Sequence, residues 1–256
     1  MALQAGRADI IVSDWIWVMR QRAAGADFVF VPYSTALGAL VCAADSGIDS
    51  VKDLAGKRIG VAGGPIDKSW LVLRAWTQRE MAFDIGHDAE PIYAAPPLLS
   101  EQLRRGGLDA VLTFWPYAAR LQAQGHRRLI AVSDLLADFG IERSLSLVGY
   151  VFRERLARER PAAFRGFFDA VAAANQILST ADQAWTDLRP IMKVGSEAEF
   201  EGLKAGFRAG IPKVLTMASL ADAETLYRLL EERGGDKLLG VGTRFDPAAF
   251  WAPQRR

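Results

Sequence analysis

Gly56-Lys57-Arg58-Ile59-Gly60-Val61-Ala62-Gly63-Gly64-Pro65-Ile66-Asp67-Lys68-Ser69-Trp70 is the stretch whose reading decides the fold. The apolar run 59–62 reads as a buried strand, Gly63, Gly64 and Pro65 as a tight turn, and Asp67 or Ser69 as the cap of a following helix. Such a strand-turn-helix unit aims the unpaired N–H groups of a first helical turn, with their partial positive charge, at one point in space. A small polar ligand suits that point. A phosphate loop needs Gly directly before Lys-Ser, but Asp67 stands there and would repel phosphate. Gly60, Gly63 and Gly64 also miss the G-x-G-x-x-G spacing of a dinucleotide loop. A plain βα turn, with glycines for backbone geometry alone, is the other reading.

The rest of the chain alternates in the same way through its first two thirds. Apolar strand patterns at 9–12, 28–32, 37–42, 90–94, 109–114, 129–132 and 147–152 are separated by helical ones, which predicts a mainly parallel sheet. From residue 161 onward the pattern turns helical, over 161–179, 182–194, 197–209 and 220–233. In 256 residues there is room for one large domain or two small lobes. Thirty-one basic residues balance thirty acidic ones, a charge with no footprint for nucleic acid or an acidic membrane surface. The basic cluster 153–160 reads as a solvated helix face. The lone Cys42 sits in an apolar run and reads as a small buried hydrophobe. His87 and His126 lack metal-ligand spacing and read as surface residues, so no metal or cofactor is expected. No apolar run reaches the length of a membrane span, and no basic start leads into an apolar secretion signal.

An internal echo adds a second level of organisation. Leu3-Gln-Ala-Gly6-Arg-Ala-Asp9-Ile-Ile-Val-Ser13-Asp14-Trp15 matches Leu103-Arg-Arg-Gly106-Gly-Leu-Asp109-Ala-Val-Leu-Thr113-Phe-Trp115: helix, glycine stop, Asp, three apolar residues, a hydroxyl and an indole. Two lobes built alike would each send out a strand whose carboxyl end carries Ser or Thr and then Trp. Ligands sit off the carboxyl ends of strands in open parallel sheets, so the expected cleft is lined by Ser13, Asp14 and Trp15 on one side. Thr113, Trp115 and Tyr117 face them. Tyr33, Ser34 and Thr35, a polar and aromatic patch at a strand end, join them with Gly63, Gly64, Asp67, Lys68, Ser69 and Trp70. The aromatic faces suit a planar or cationic organic group. Lys68 and the helix start suit a carboxylate or sulfonate, and Asp14 and Asp67 a positive or donor end. Together they favour a small organic solute over nitrate. No Ser-His-Asp set, carboxylate pair or metal set is visible, so no catalytic residue is assigned.

With these residues in place, the chain resembles the periplasmic solute-binding proteins of ABC importers, in the nitrate, taurine/sulfonate and thiamine-precursor group. The likeness is carried by Leu3-Gln-Ala-Gly-Arg-Ala-Asp-Ile, by Ser50-Val-Lys-Asp-Leu-Ala-Gly-Lys-Arg-Ile-Gly-Val and by residues 103–115. It implies an α/β, two-lobed periplasmic-binding-protein-like (type II) fold with mainly parallel sheets and a helical C-terminal region. Its lobes are expected at 1–58 (lobe 1), 59–146 (lobe 2) and 147–256 (return to lobe 1 and C-terminal helices). It also implies capture of a small-molecule solute in the cleft, ABC permease and ATPase subunits as partners, a periplasmic location, a monomer, and no catalysis. Family members start with a secretion signal and a strand-helix-strand of the first lobe. Here the first lobe is expected to lack that unit, which leaves a sheet edge exposed and predicts weak stability and poor ligand binding. Two alternatives are a sensory domain of the same fold and, further off, an enzyme like the thiamine-pyrimidine synthases, whose catalytic His and cysteine-rich motif have no place here.

Overall fold

In the computed structural model, residues 2–141, 145–213 and 216–251 are described. Strand β1 (Ile10–Asp14) leads into helix α1 (Trp15–Ala23), then β2 (Phe28–Ser34) and β3 (Ala39–Cys42). A 3-10 turn (Val51–Leu54) precedes β4 (Arg58–Ala62), α2 (Lys68–Met81), the short α3 (Ile85–Asp88), β5 (Glu90–Ala94) and α4 (Pro96–Arg104). Next come β6 (Ala110–Thr113), α5 (Trp115–Ala123), β7 (Arg127–Ala131), α6 (Val132–Asp138) and β8 (Val148–Arg153). The chain closes with helices α7 (Glu154–Glu159), α8 (Pro161–Thr180), α9 (Asp182–Met192), α10 (Glu197–Ala209) and α11 (Met217–Leu239).

Two sheets result, one of order β1-β8-β2 and one of order β5-β4-β6-β3-β7. The expected parallel pairing holds for β5, β4 and β6. Strands β3 and β8 run antiparallel to both of their neighbours, and each is the strand on which the chain arrives from the other sheet. Membership of β3 in the larger sheet puts the first crossing between sheets at residues 35–38, not at the 58/59 boundary read from the sequence. The second crossing lies just before β8.

The echo in the sequence is an echo in space. The units β1-α1-β2 and β6-α5-β7 each contain a nine-residue helix that begins on a tryptophan, and each holds one antiparallel strand, β8 or β3, between its two strands. Ser13 lies opposite Gly149 of β8, and Thr113 lies opposite Ala39 of β3.

The main apolar core runs between the lobes. Trp15, Ile16 and Met19 of α1, Trp70, Leu71 and Val72 of α2, and Leu226 and Leu230 of α11 belong to one buried cluster, with α11 packed against both of the other helices. Burying large side chains of this kind stabilises by roughly 1.5–3 kcal/mol each. A smaller cluster, including Val41, Leu99, Leu103 and Val111, fills the opposite face of the five-stranded sheet under α4 and α5. Phe152, Phe164, Phe168 and Trp251 interlock on the outer face of the three-stranded sheet, with ring centroids 4.8–5.8 Å apart. Helix α10 crosses back to pack on α5, which ties the C-terminal helices to the second lobe.

Candidate functional site at the facing strand ends

Strands β4 and β6 are neighbours, yet α2 and α5, which follow them, cover opposite faces of the sheet. That divergence opens a crevice at their carboxyl ends, the position where open α/β sheets take ligands. Gly63 and Gly64 line it from β4, with φ of +90° and +96°, in the left-handed region that glycine tolerates. A Cβ on Gly63 would stand 2.7 Å from Asp67 Oδ2, so only glycine lets the turn fold back onto that carboxylate. From β6 comes Thr113, 2% exposed, whose Oγ1 has no hydrogen-bond partner among the described residues.

The first lobe meets this crevice through one ion pair. Asp14, the last residue of β1, caps α1 by accepting the Trp17 N–H on Oδ1 at 2.8 Å. Its Oδ2 accepts from Lys68 Nζ at 3.0 Å, across from one lobe to the other. Both side chains are about a quarter exposed, at 24% and 23%. Asp67 caps α2 and accepts the N–H groups of Ser69 and Trp70 at 2.9 and 3.2 Å. Burial pushes the Asp67 carboxyl above its ordinary value, against the opposing pull of those N–H groups and of Lys68. The negative charge of Asp14 adds to the rise.

The structure therefore brings Asp14, Gly63, Gly64, Asp67 and Lys68 together, with Thr113 at the end of the neighbouring strand, and corrects the roles read for several others. Trp15 is 0% exposed: its indole N–H donates to the Ser146 carbonyl at 3.1 Å and its ring packs on Phe245 and Phe250. Trp70 is 1% exposed, packed edge-on to Tyr93. Neither indole offers a face to a solute, because both lie in the first turn of helices whose inward side is core. Trp115 is half-buried beneath α10, where Gly206 lies so close that a Cβ would stand 2.8 Å from the ring. Tyr117, also half-buried, spends its backbone N–H on Phe114 O at 3.0 Å. The cation and helix start read as an anion site are both occupied, Lys68 by Asp14 and the α2 N–H groups by Asp67. Ser69 contributes there through its backbone N–H.

At the matching ends of the three-stranded sheet, Asp14, Val148 and Ser34 lie side by side in register, and Ser13 is next to Gly149. Ser34 Oγ accepts the Ala36 N–H at 3.1 Å, and the Thr35 N–H donates to Gly210 O at 2.8 Å. Tyr33 is 40% exposed and meets Tyr150 edge-on at 5.4 Å. Tyr150, Ser146 and Val148 escaped the sequence reading. They arrive beside β1 and β2 only through pairing with a strand more than 110 residues away, which has no local signature. The ion pair between Arg120 of α5 and Glu199 of α10 escaped it for the same reason.

Two lobes of repeated topology, with strand ends facing across an ion-paired crevice, make up a two-lobed α/β binding-protein fold. The sequence pattern of the family described as NMT1/THI5 like matches residues 1–183, and the chain belongs to that family. Among solved structures, it is similar to the periplasmic aliphatic sulphonate binding protein SsuA from Escherichia coli, with 22% identity and a TM-score of 0.74 over 100% of this chain and 79% of that one. The alkanesulfonate-binding protein SsuA from Xanthomonas axonopodis pv. citri, bound to MOPS, gives 20% identity and a TM-score of 0.74 over 98% and 82% of the two chains. The desulfurization enzyme DSZB shares the fold at 18% identity and a TM-score of 0.61, over 94% and 83%. A search of curated proteins by sequence finds no match.

Proposed function

We propose that this protein is the solute-capturing component of an ABC import system: a monomer of the periplasm that closes its lobes on a small organic solute and hands it to permease and ATPase subunits. The observation that carries the reading is the Asp14–Lys68 pair, which joins the lobes at the strand ends. A solute held there touches both lobes at once, so binding and closure are one event. Family membership and the likeness to solute-binding structures support the same reading.

The likeness to DSZB keeps an enzyme in view, but the reactive side chains lie elsewhere. Cys42 ends β3, which runs antiparallel to β6, so it sits beside Ala110 at the opposite end of the sheet from Thr113. His126 precedes β7, and His87, 87% exposed, lies in α3 before β5. All three stand away from the crevice, which favours capture over covalent chemistry. Thermal melts and calorimetry against a panel of small organic solutes test the proposal. A solute that raises the melting point and leaves the protein unaltered in composition supports it, and turnover of that solute to a new product refutes it.

A further inference from the structure

Helix α10 carries a glycine at every fourth residue along one face, Gly202, Gly206 and Gly210, and each meets a different neighbour. A Cβ on Gly202 would stand 3.8 Å from Ala119 Cβ of α5, an ordinary contact. On Gly206 it would stand 2.8 Å from the ring of Trp115, the residue that opens α5. On Gly210 it would stand 2.6 Å from Ala36 Cβ and 2.8 Å from Ser34 Oγ, where the chain leaves the first sheet for the second. Gly210 has φ −87° and ψ −4°, right-handed values open to any residue. Close approach to the crossing, and not backbone freedom, is what calls for glycine there.

The bonds of α10 divide along its length. Its first turn is held to the second lobe by the Arg120–Glu199 pair. At its last turn Arg208 donates to Leu178 O of α8 at 2.9 Å and to Asp182 at the start of α9, and Gly210 O accepts the Thr35 N–H at 2.8 Å. Helix α8 in turn packs on the three-stranded sheet through Phe164 and Phe168. From the segment just before β8, the Ser146 hydroxyl donates to Ser34 O at 2.5 Å, so that segment, the first crossing and the end of α10 all meet at residues 34–36. Hinges are a few residues at element ends that absorb the change in φ and ψ while rigid parts turn about them. Resting on the reading of two lobes that close on a solute, we infer that α10 is a strap that travels with the second lobe, and that the lobes turn about its C-terminal end, with Gly210 against Ser34 and Ala36 as the pivot. A rotation there leaves the Arg120–Glu199 pair and the packing of α10 on α5 undisturbed.

The test needs no solute. Ala172→Cys, exposed on α8, and Gln124→Cys, exposed just after α5, carry one spin label on each lobe, while the native Cys42 is buried and stays unlabelled. Pulsed electron resonance on the whole chain then reads the distribution of distances between the lobes. Gly210→Ala should widen that distribution by about twofold or more, because its methyl group drives the helix end off the crossing and the lobes lose their fixed axis. Gly202→Ala, on the same face but with room for its methyl group, should leave the width unchanged. Adding Ala36→Gly to Gly210→Ala gives the space back and should restore the width of the parent. An unwidened distribution in Gly210→Ala, equal widening in Gly202→Ala, or a double variant as wide as the single overturns the pivot and leaves solute capture standing. A Gly210→Ala chain that does not fold overturns it too, since a contact on which the core depends is not a hinge. Failure of every solute in the calorimetric panel, by contrast, counts against capture and not against the pivot.

Discussion

Replacing Arg120 with Met should be among the most damaging single changes outside the apolar core. Glu199, in the first turn of α10, has a side chain only 8% exposed, and Arg120 of α5 is its ionic partner. The Gly195 N–H, at 3.1 Å, is the other group the Glu199 carboxylate accepts from. Arg120 also donates to Met192 O at 3.0 Å and Lys193 O at 3.4 Å, so it fastens the α9–α10 turn to the second lobe. Removing one member of a buried pair costs about 3–5 kcal/mol, because the survivor stays charged in a poor solvent. Arg120 is itself 33% exposed, so water relieves part of the loss, and about 3 kcal/mol is the expected figure. In a chain of this size each kcal/mol moves the thermal midpoint by roughly 2–4 °C, which gives a fall of about 6–12 °C by circular dichroism. The double variant Arg120→Met with Glu199→Leu leaves no orphaned charge and should recover half or more of that loss. A single variant within about 1 kcal/mol of the parent, or a double variant worse than the single, would refute the reasoning.

Asp67→Asn keeps a capping oxygen for α2 and removes a carboxylate whose pKa is raised by burial. A raised folded value means that ionisation opposes folding, so stability is lost as pH rises through that value. The variant should therefore melt higher than the parent at neutral pH, and the gap should close as pH falls toward 3.8, the ordinary aspartate value. An equal gap at both ends of the titration would contradict this. Gly38 lies where the chain crosses from β2 to β3, and a Cβ there would stand 2.0 Å from the Thr113 carbonyl oxygen. Because the obstacle is backbone and cannot rotate away, Gly38→Ala should cost about 3 kcal/mol, and unchanged urea unfolding would show that the crossing has slack.

The strand-turn-helix at 56–70 was legible because its signals are local. A run of apolar residues, two glycines and an aspartate with an N-cap role each act within a turn of where they stand, and β4, the turn and α2 form as they direct. The doubled architecture was legible too, since two matched stretches fold alike wherever they are placed. What each tryptophan faces was not. Trp15 and Trp115 open equivalent helices, but one is enclosed by Phe245, Phe250 and the Ser146 carbonyl and the other lies under α10. Every one of those neighbours is more than 80 residues distant in the chain.

The charge of the crevice divides the same way. By itself the sequence determined that Asp14 and Asp67 would stand at helix starts and Lys68 just inside one, since capping is decided by residues two and three positions on. Only the tertiary structure decided that Lys68, on one lobe, would neutralise Asp14, on the other. Coulomb attraction depends on distance through space, and that distance is fixed by how two sheets and the core between them pack. No spacing along the chain encodes it.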